Sequence, residues 1–140
     1  MKKVRIIIIV LLCLAAAGGY TVFDNIFPEA EPISCPDVAD ILSVSLTENK
    51  GAFVAVEKSA IDILLENIRN AHPTRRESVN DYPTAENFFT VDIDATDRKY
   101  RYFIFEEKSK VCIEMPYEGI YESEQEFFDF LMKFFKDKEQ

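Results

Sequence analysis

The chain has 140 residues, 48% of them hydrophobic, which suits one globular domain with a short leader and is crowded for two domains. Its formal net charge is -9, but Lys2, Lys3 and Arg5 precede Phe23 and every acidic residue follows it; removing those three from the 16 basic residues leaves 13 against 25 acidic ones, a net -12 for the remainder. Such a domain repels phosphate backbones, whose binding rests on neutralisation by Lys and Arg, so a nucleic-acid partner is excluded.

Residues 1–23 form the leader, a signal anchor or a signal peptide. No charge falls within residues 6–23, and about eighteen residues rising roughly 1.5 Å each reach about 27 Å as a helix, close to the hydrocarbon thickness of a bilayer. Basic residues before this run and acidic ones after it place the amino terminus in the cytoplasm and everything from Asp24 outside, as a single-pass protein of the cell membrane. Ala15, Ala16 and Ala17 before Gly18 also fit a signal-peptidase site, and cleavage there gives a secreted domain. Lipidation at Cys13 is disfavoured because Leu12 stands where a lipoprotein signal has a small residue.

Residues 24–36 read as an acidic tether. Pro28, Pro32 and Pro36 stiffen it, while Asp24, Glu29 and Glu31 keep it solvated. Cys35 at its end and Cys112 in a later strand are candidates for a disulfide in an oxidising compartment, with two unbonded thiols as the alternative. The loop such a bond closes would stabilise the fold by roughly 4 to 5 kcal/mol on a chain-entropy model.

The folded domain is expected over residues 37–138. Leu42, Val44 and Leu46 alternate with Ser43, Ser45 and Thr47, the period of a half-buried strand, and the Asn and Gly of the next turn allow a hairpin return carrying Val54 and Val56. A helix follows, with Ser59 as its cap and Ile61, Leu64, Leu65 and Ile68 as its buried stripe. Asn70 and Pro73 stop it. Residues 70–83 then carry the chain to a second run of strands. Phe89, Val91, Ile93 and Ala95 alternate in the first of these. Tyr100, Tyr102 and Ile104 oppose Phe103 and Phe105 in the next, whose two aromatic faces mark it as central. Val111, Ile113 and Met115 form a third, closed by Pro116. Ser123 and Glu126 make a capping box ahead of a last helix with Phe127, Phe128, Leu131, Phe134 and Phe135 on one face. The order ββαβββα, with short turns between strands, specifies an α+β fold of two layers: an antiparallel sheet of about five strands with two helices on one face.

Pro73-Thr-Arg-Arg-Glu-Ser-Val-Asn-Asp81 and Ile113-Glu-Met-Pro-Tyr-Glu-Gly-Ile-Tyr121 resemble the two signature stretches of a family of short extracytoplasmic domains of unknown function from Gram-positive, Firmicutes-type bacteria. The resemblance covers roughly residues 37–136. It implies a layout of leader, small domain and a Pro-Thr-Arg stretch after the first helix, and it implies no chemistry.

Within these stretches Arg75 and Arg76 could form a fork for an anionic group, since guanidinium groups match carboxylates in two-point fashion. The competing reading makes them partners of loop carboxylates, with Thr74, Ser78, Asn80 and Asp81 satisfying the backbone. Tyr117 and Tyr121 stand at the exit of the late hairpin, and tyrosine with arginine is a composition typical of binding surfaces. Arg75, Arg76, Tyr117 and Tyr121 are therefore the candidate binding residues. His72, the one histidine, has no positioned partner in its vicinity, and Asp92, Asp94 and Asp97 lack the glycine and distal glutamate of a calcium loop. No catalytic residue, metal ligand or cofactor is assigned. The reading is a membrane-tethered or secreted extracytoplasmic module that binds an envelope protein or peptide. A small envelope enzyme using a carboxylate pair or His72 and a purely structural envelope module are the alternatives.

Overall fold

The middle strand decides the architecture. In the computed structural model, which describes residues 2–49, 51 and 53–139, Lys99–Glu107 sends Tyr102 and Ile104 into one apolar cluster and Phe103 and Phe105 into another. Alternate side chains of a strand point to opposite faces, so the sheet has a core on each side. In chain order the elements are α1 (Lys2–Ile26), β1 (Ile41–Glu48), β2 (Phe53–Ala55), α2 (Lys58–Arg69), β3 (His72–Pro73), β4 (Phe89–Ala95), β5 (Lys99–Glu107), β6 (Lys110–Met115), β7 (Gly119–Ser123) and α3 (Gln125–Glu139), with a short 3-10 turn at Val38–Asp40. The sheet is antiparallel throughout, in the order β2-β1-β4-β5-β6-β7-β3, and β5 lies at its centre as expected.

The α+β class holds, but among the described residues the sheet has seven strands where about five were expected. The additions are β3 and β7, which pair His72 with Glu122 and Pro73 with Tyr121. Neither shows a period-2 run in sequence: β3 has two residues, and β7 begins at a glycine inside a turn-rich motif. Leu42 also departs from expectation. The register of β1 on β4 slips between Ile41 and Ser43, so Leu42 is the extra residue of a bulge and lies 69% exposed, while Val44 and Leu46 are buried.

Helices α2 and α3 cover the larger core. Leu64, Leu65 and Ile68 of α2 and Phe127, Leu131 and Phe135 of α3 join Val44, Leu46, Phe89, Val91, Ile93, Tyr102, Ile104 and Ile113 in one cluster. Both helix starts differ from the expected caps. Helix α2 begins at Lys58 after Glu57, one residue before Ser59, and Ser123 is the last residue of β7. On the opposite face Phe88, Phe103, Phe105, Cys112 and Ile120 form the smaller core, against which Ala85 of the connector packs.

Residues 30–36 are not a solvated tether. They lie as a strap on the larger core, where Ala30, Ile33 and Cys35 pack. Side chains of the domain donate to the strap backbone: Tyr121 Oη to the Glu31 carbonyl at 3.0 Å, Tyr102 Oη to that of Ser34 at 2.6 Å, and Arg69 Nη2 to that of Pro36 at 2.6 Å. Gly119 permits this approach, since a Cβ there would lie 2.9 Å from the Cβ of Ala30. Of the two alternatives for Cys35 and Cys112, the structure has the unbonded thiols. Cys35 sits with the larger core and Cys112 in the smaller one, so the sheet stands between two free thiols. Ahead of the strap, Val4–Ile26 of α1 is long and apolar enough to cross a membrane and is not buried against the domain. That length and composition fit a signal anchor or single span.

Candidate functional site

Arg75 lies at a bend just after β3 and Arg76 follows it, and the two side chains go to different partners. Arg75 Nη2 pairs with Asp24 Oδ1 at 2.6 Å, and Nη1 donates to the carbonyl of Phe27. Arg76 Nη1 pairs with Glu107 Oε2 at 2.6 Å and lies 3.9 Å from Cys112 Sγ. The two guanidinium groups thus serve opposite sides of the segment and do not make one fork. Tyr121 is 1% exposed and spent on the strap, whereas Tyr117 is 67% exposed. Of the four expected binding residues, only Tyr117 presents its ring to solvent in the manner of a binding surface.

The two signature stretches are bonded to each other. Thr74 Oγ1 donates to the Ile120 carbonyl at 2.5 Å, and Ile120 N donates to the Arg76 carbonyl at 3.1 Å. Ser78 Oγ donates to Glu114 Oε1 at 2.7 Å, both residues being buried, and also accepts from Tyr117 N at 3.3 Å. Tyr117 Oη donates to Asp81 Oδ1 at 2.5 Å. A buried carboxylate needs such a donor, which gives Ser78 and Glu114 a packing role. The most distinctive residues of the sequence therefore form a seam that closes the sheet edge.

Beside the seam lies an open cleft of about 850 Å³. Its floor is the polar half of the second sheet face: Ser43 and Ser45 of β1, Asp92 and Asp94 of β4, and Lys99 and Arg101 of β5. Asp81 and Tyr82 form one wall, and Pro116, Glu118 and Arg98 another. The floor is electrostatically paired. Arg101 meets Asp92 through two hydrogen bonds, of 2.6 and 3.0 Å, and the carboxylate pushes the guanidinium pKa up. Lys99 lies 3.5 Å from Asp94, and Arg98 is 3.3 Å from Glu118 while stacking 4.4 Å over the Tyr100 ring. Tyr100 donates to Asp97 at 2.6 Å, which holds that carboxyl below the usual range. Asp92, Asp94 and Asp97 are thus engaged by Arg101, Lys99 and Tyr100. Among the described residues no group of three or more His, Cys, Asp and Glu could hold a metal ion.

His72 is exposed on β3 and faces Glu122 in register, away from the cleft residues. The pattern of any single strand does not disclose the cleft floor, because the outward residues of one strand alone carry the pattern of a solvated face. The usable signal was a coincidence across strands: Ser43 and Ser45, Asp92 and Asp94, and Arg101 all fall on the non-core phase of neighbouring strands.

Comparison with known proteins bears on the family and the fold. The family model DUF5301, described as "Domain of unknown function (DUF5300)", matches residues 29–122. No curated protein matches the chain. An NMR structure of a protein from Ruminococcus gnavus is similar, with 28% sequence identity and a TM-score of 0.56, over 64% of this chain and 89% of that one. The family match starts at the strap and ends in β7, taking in the smaller core, the seam, the cleft floor and the larger core apart from the side chains of α3. Because it spans more than half of the sequence, the chain belongs to the DUF5301 family of domains of unknown function.

Proposed function

We propose that this protein is an extracytoplasmic binding module of the bacterial envelope, attached to the membrane through α1, which takes an envelope protein or peptide at the cleft beside Tyr117. The observation that carries the reading is Tyr117 itself: an exposed aromatic ring held at a positive φ of 63° next to an open polar cleft. Strained backbone and exposed aromatic rings concentrate at recognition sites, and tyrosine gives large contact area at low side-chain entropy cost. The paired charges of the floor suit a partner that brings its own alternating donors and acceptors, since no net charge there awaits neutralisation. The basic leader start and the acidic domain support the outward orientation.

Photo-crosslinking in native membranes tests the reading. A benzoylphenylalanine at Lys99, in the cleft, should give a discrete protein or peptide adduct, and one at Lys133, exposed on α3, should not. Adding Tyr117→Ala should reduce the Lys99 adduct roughly tenfold, the effect of one good interface residue. Adducts equal at both positions, or none at Lys99, would discard the cleft as the binding surface.

A further inference from the structure

Helix α1 ends without the usual complement to its dipole. Its last turn has no basic residue and does have Asp24, a carboxylate where the terminal carbonyls already concentrate negative charge. The missing cation comes from the folded domain. Arg75 pairs with Asp24 at 2.6 Å, donates to the carbonyl of Phe27 just past the helix, and holds its guanidinium 5.3 Å from the centroid of the Phe23 ring. Phe23 and Phe27 support this arrangement, with ring centroids 5.3 Å apart and Phe27 N donating to the Phe23 carbonyl at 2.8 Å. The neighbouring Thr74 carbonyl accepts from Ala30 N at 2.9 Å, so consecutive residues of the domain hold the helix end and the first residue of the strap.

We propose that Arg75 is a docking site for the last turn of α1, fixing the domain in one orientation at the membrane surface instead of leaving it on a loose leash. The partner is a segment of this same chain, recognised through a carboxylate, a terminal carbonyl and an aromatic face. A planar guanidinium can meet all of these at once, whereas an ammonium cannot. An exposed ion pair alone contributes little in water, but the interface of a bilayer lowers the dielectric around this one and strengthens it. The strap then continues the hold onto the core. The inference is independent of what the cleft binds: it concerns the other end of the seam and uses none of the cleft residues.

Hydrogen exchange on the full chain in nanodiscs of phosphatidylglycerol and phosphatidylethanolamine reads the docking directly, with the amides of Phe27 and Ala30 as reporters. Arg75→Gln should speed their exchange by roughly tenfold while β5 amides and the thermal midpoint stay unchanged. Arg75→Lys should fall between, because an ammonium keeps the charge but not the simultaneous contacts. Unaltered exchange in Arg75→Gln overturns the proposal. A parallel rise in β5 exchange also overturns it, because Arg75 would then be stabilising the domain as a whole.

Discussion

Tyr117 occupies a position that favours glycine. Glu118 N donates to the Met115 carbonyl at 3.0 Å, closing a four-residue turn with Pro116 second and Tyr117 third at φ 63°. That is the pattern of a type II turn, in which proline suits the second place and glycine the third. A side chain there costs roughly 1–2 kcal/mol, offset in part by the bond from Tyr117 Oη to Asp81. Tyr117→Ala keeps the strain and loses that bond; Tyr117→Gly loses both. Urea unfolding is expected to find the glycine variant more stable than the alanine variant by roughly 0.5–1 kcal/mol, after allowing for the larger unfolded-state entropy of glycine. The reverse order would show that the turn carries no strain. At this scale the sequence revealed which residues are unusual and not whom they meet. Arg75 and Arg76 stood out as a pair, but their partners Asp24 and Glu107 lie far along the chain in opposite directions, and only the fold separates them. Tyr117 and Tyr121 looked equivalent as well, until a turn and a strand gave one to solvent and the other to the strap.

Among the elements, the strap depends most on protonated side chains. Burial pushes the Tyr102 and Tyr121 phenols up, and it also raises the Cys35 thiol. The folded state therefore favours their neutral forms. Their contribution to stability is complete below the unfolded-state values, about pH 8.5 for a thiol and about pH 10 for a phenol, and is lost as pH rises above these towards the higher folded values. Alkaline unfolding should begin with the strap, seen as increased alkylation of Cys35 before the far-ultraviolet signal changes. Tyr102→Phe removes the hydrogen bond to the Ser34 carbonyl, so it should lower stability at neutral pH by about 0.5–1.5 kcal/mol and flatten the alkaline loss. An alkaline profile unchanged by this substitution would assign the loss to other groups. The strap was the least legible element. Its prolines and acids carry the composition of a linker, and the features that pin it are single tyrosines and an arginine on distant elements. Strands β1, β4, β5 and β6 were legible because one side of each faces a core with regular period, and α2 and α3 because their apolar stripes meet that same core. The bulge at Leu42, the two-residue edge strand β3 and its neighbour β7 follow from local geometry that periodicity does not encode.

For the whole molecule, the question is where the domain begins. Proline and charge placed its start at residue 37, but the chain packs into the larger core from Ala30, and the family match starts at 29. The two boundaries make different physical demands. A chain starting at residue 29 retains the apolar side chains of Ala30, Ile33 and Cys35 and the carbonyls that accept from Tyr121, Tyr102 and Arg69. One starting at residue 37 loses them all, exposing core surface beneath and leaving the hydroxyls of Tyr102 and Tyr121 without these acceptors. At about 1 kcal/mol for each hydrogen bond, and further loss from the uncovered apolar area, the shorter chain should be less stable by about 3 kcal/mol or more. That is a large share of the roughly 5–15 kcal/mol available to a domain of this kind. Denaturant midpoints of the two purified chains separate the alternatives. A common midpoint would return residues 30–36 to the role of tether. A midpoint well below that of the longer chain would make the strap part of the hydrophobic core.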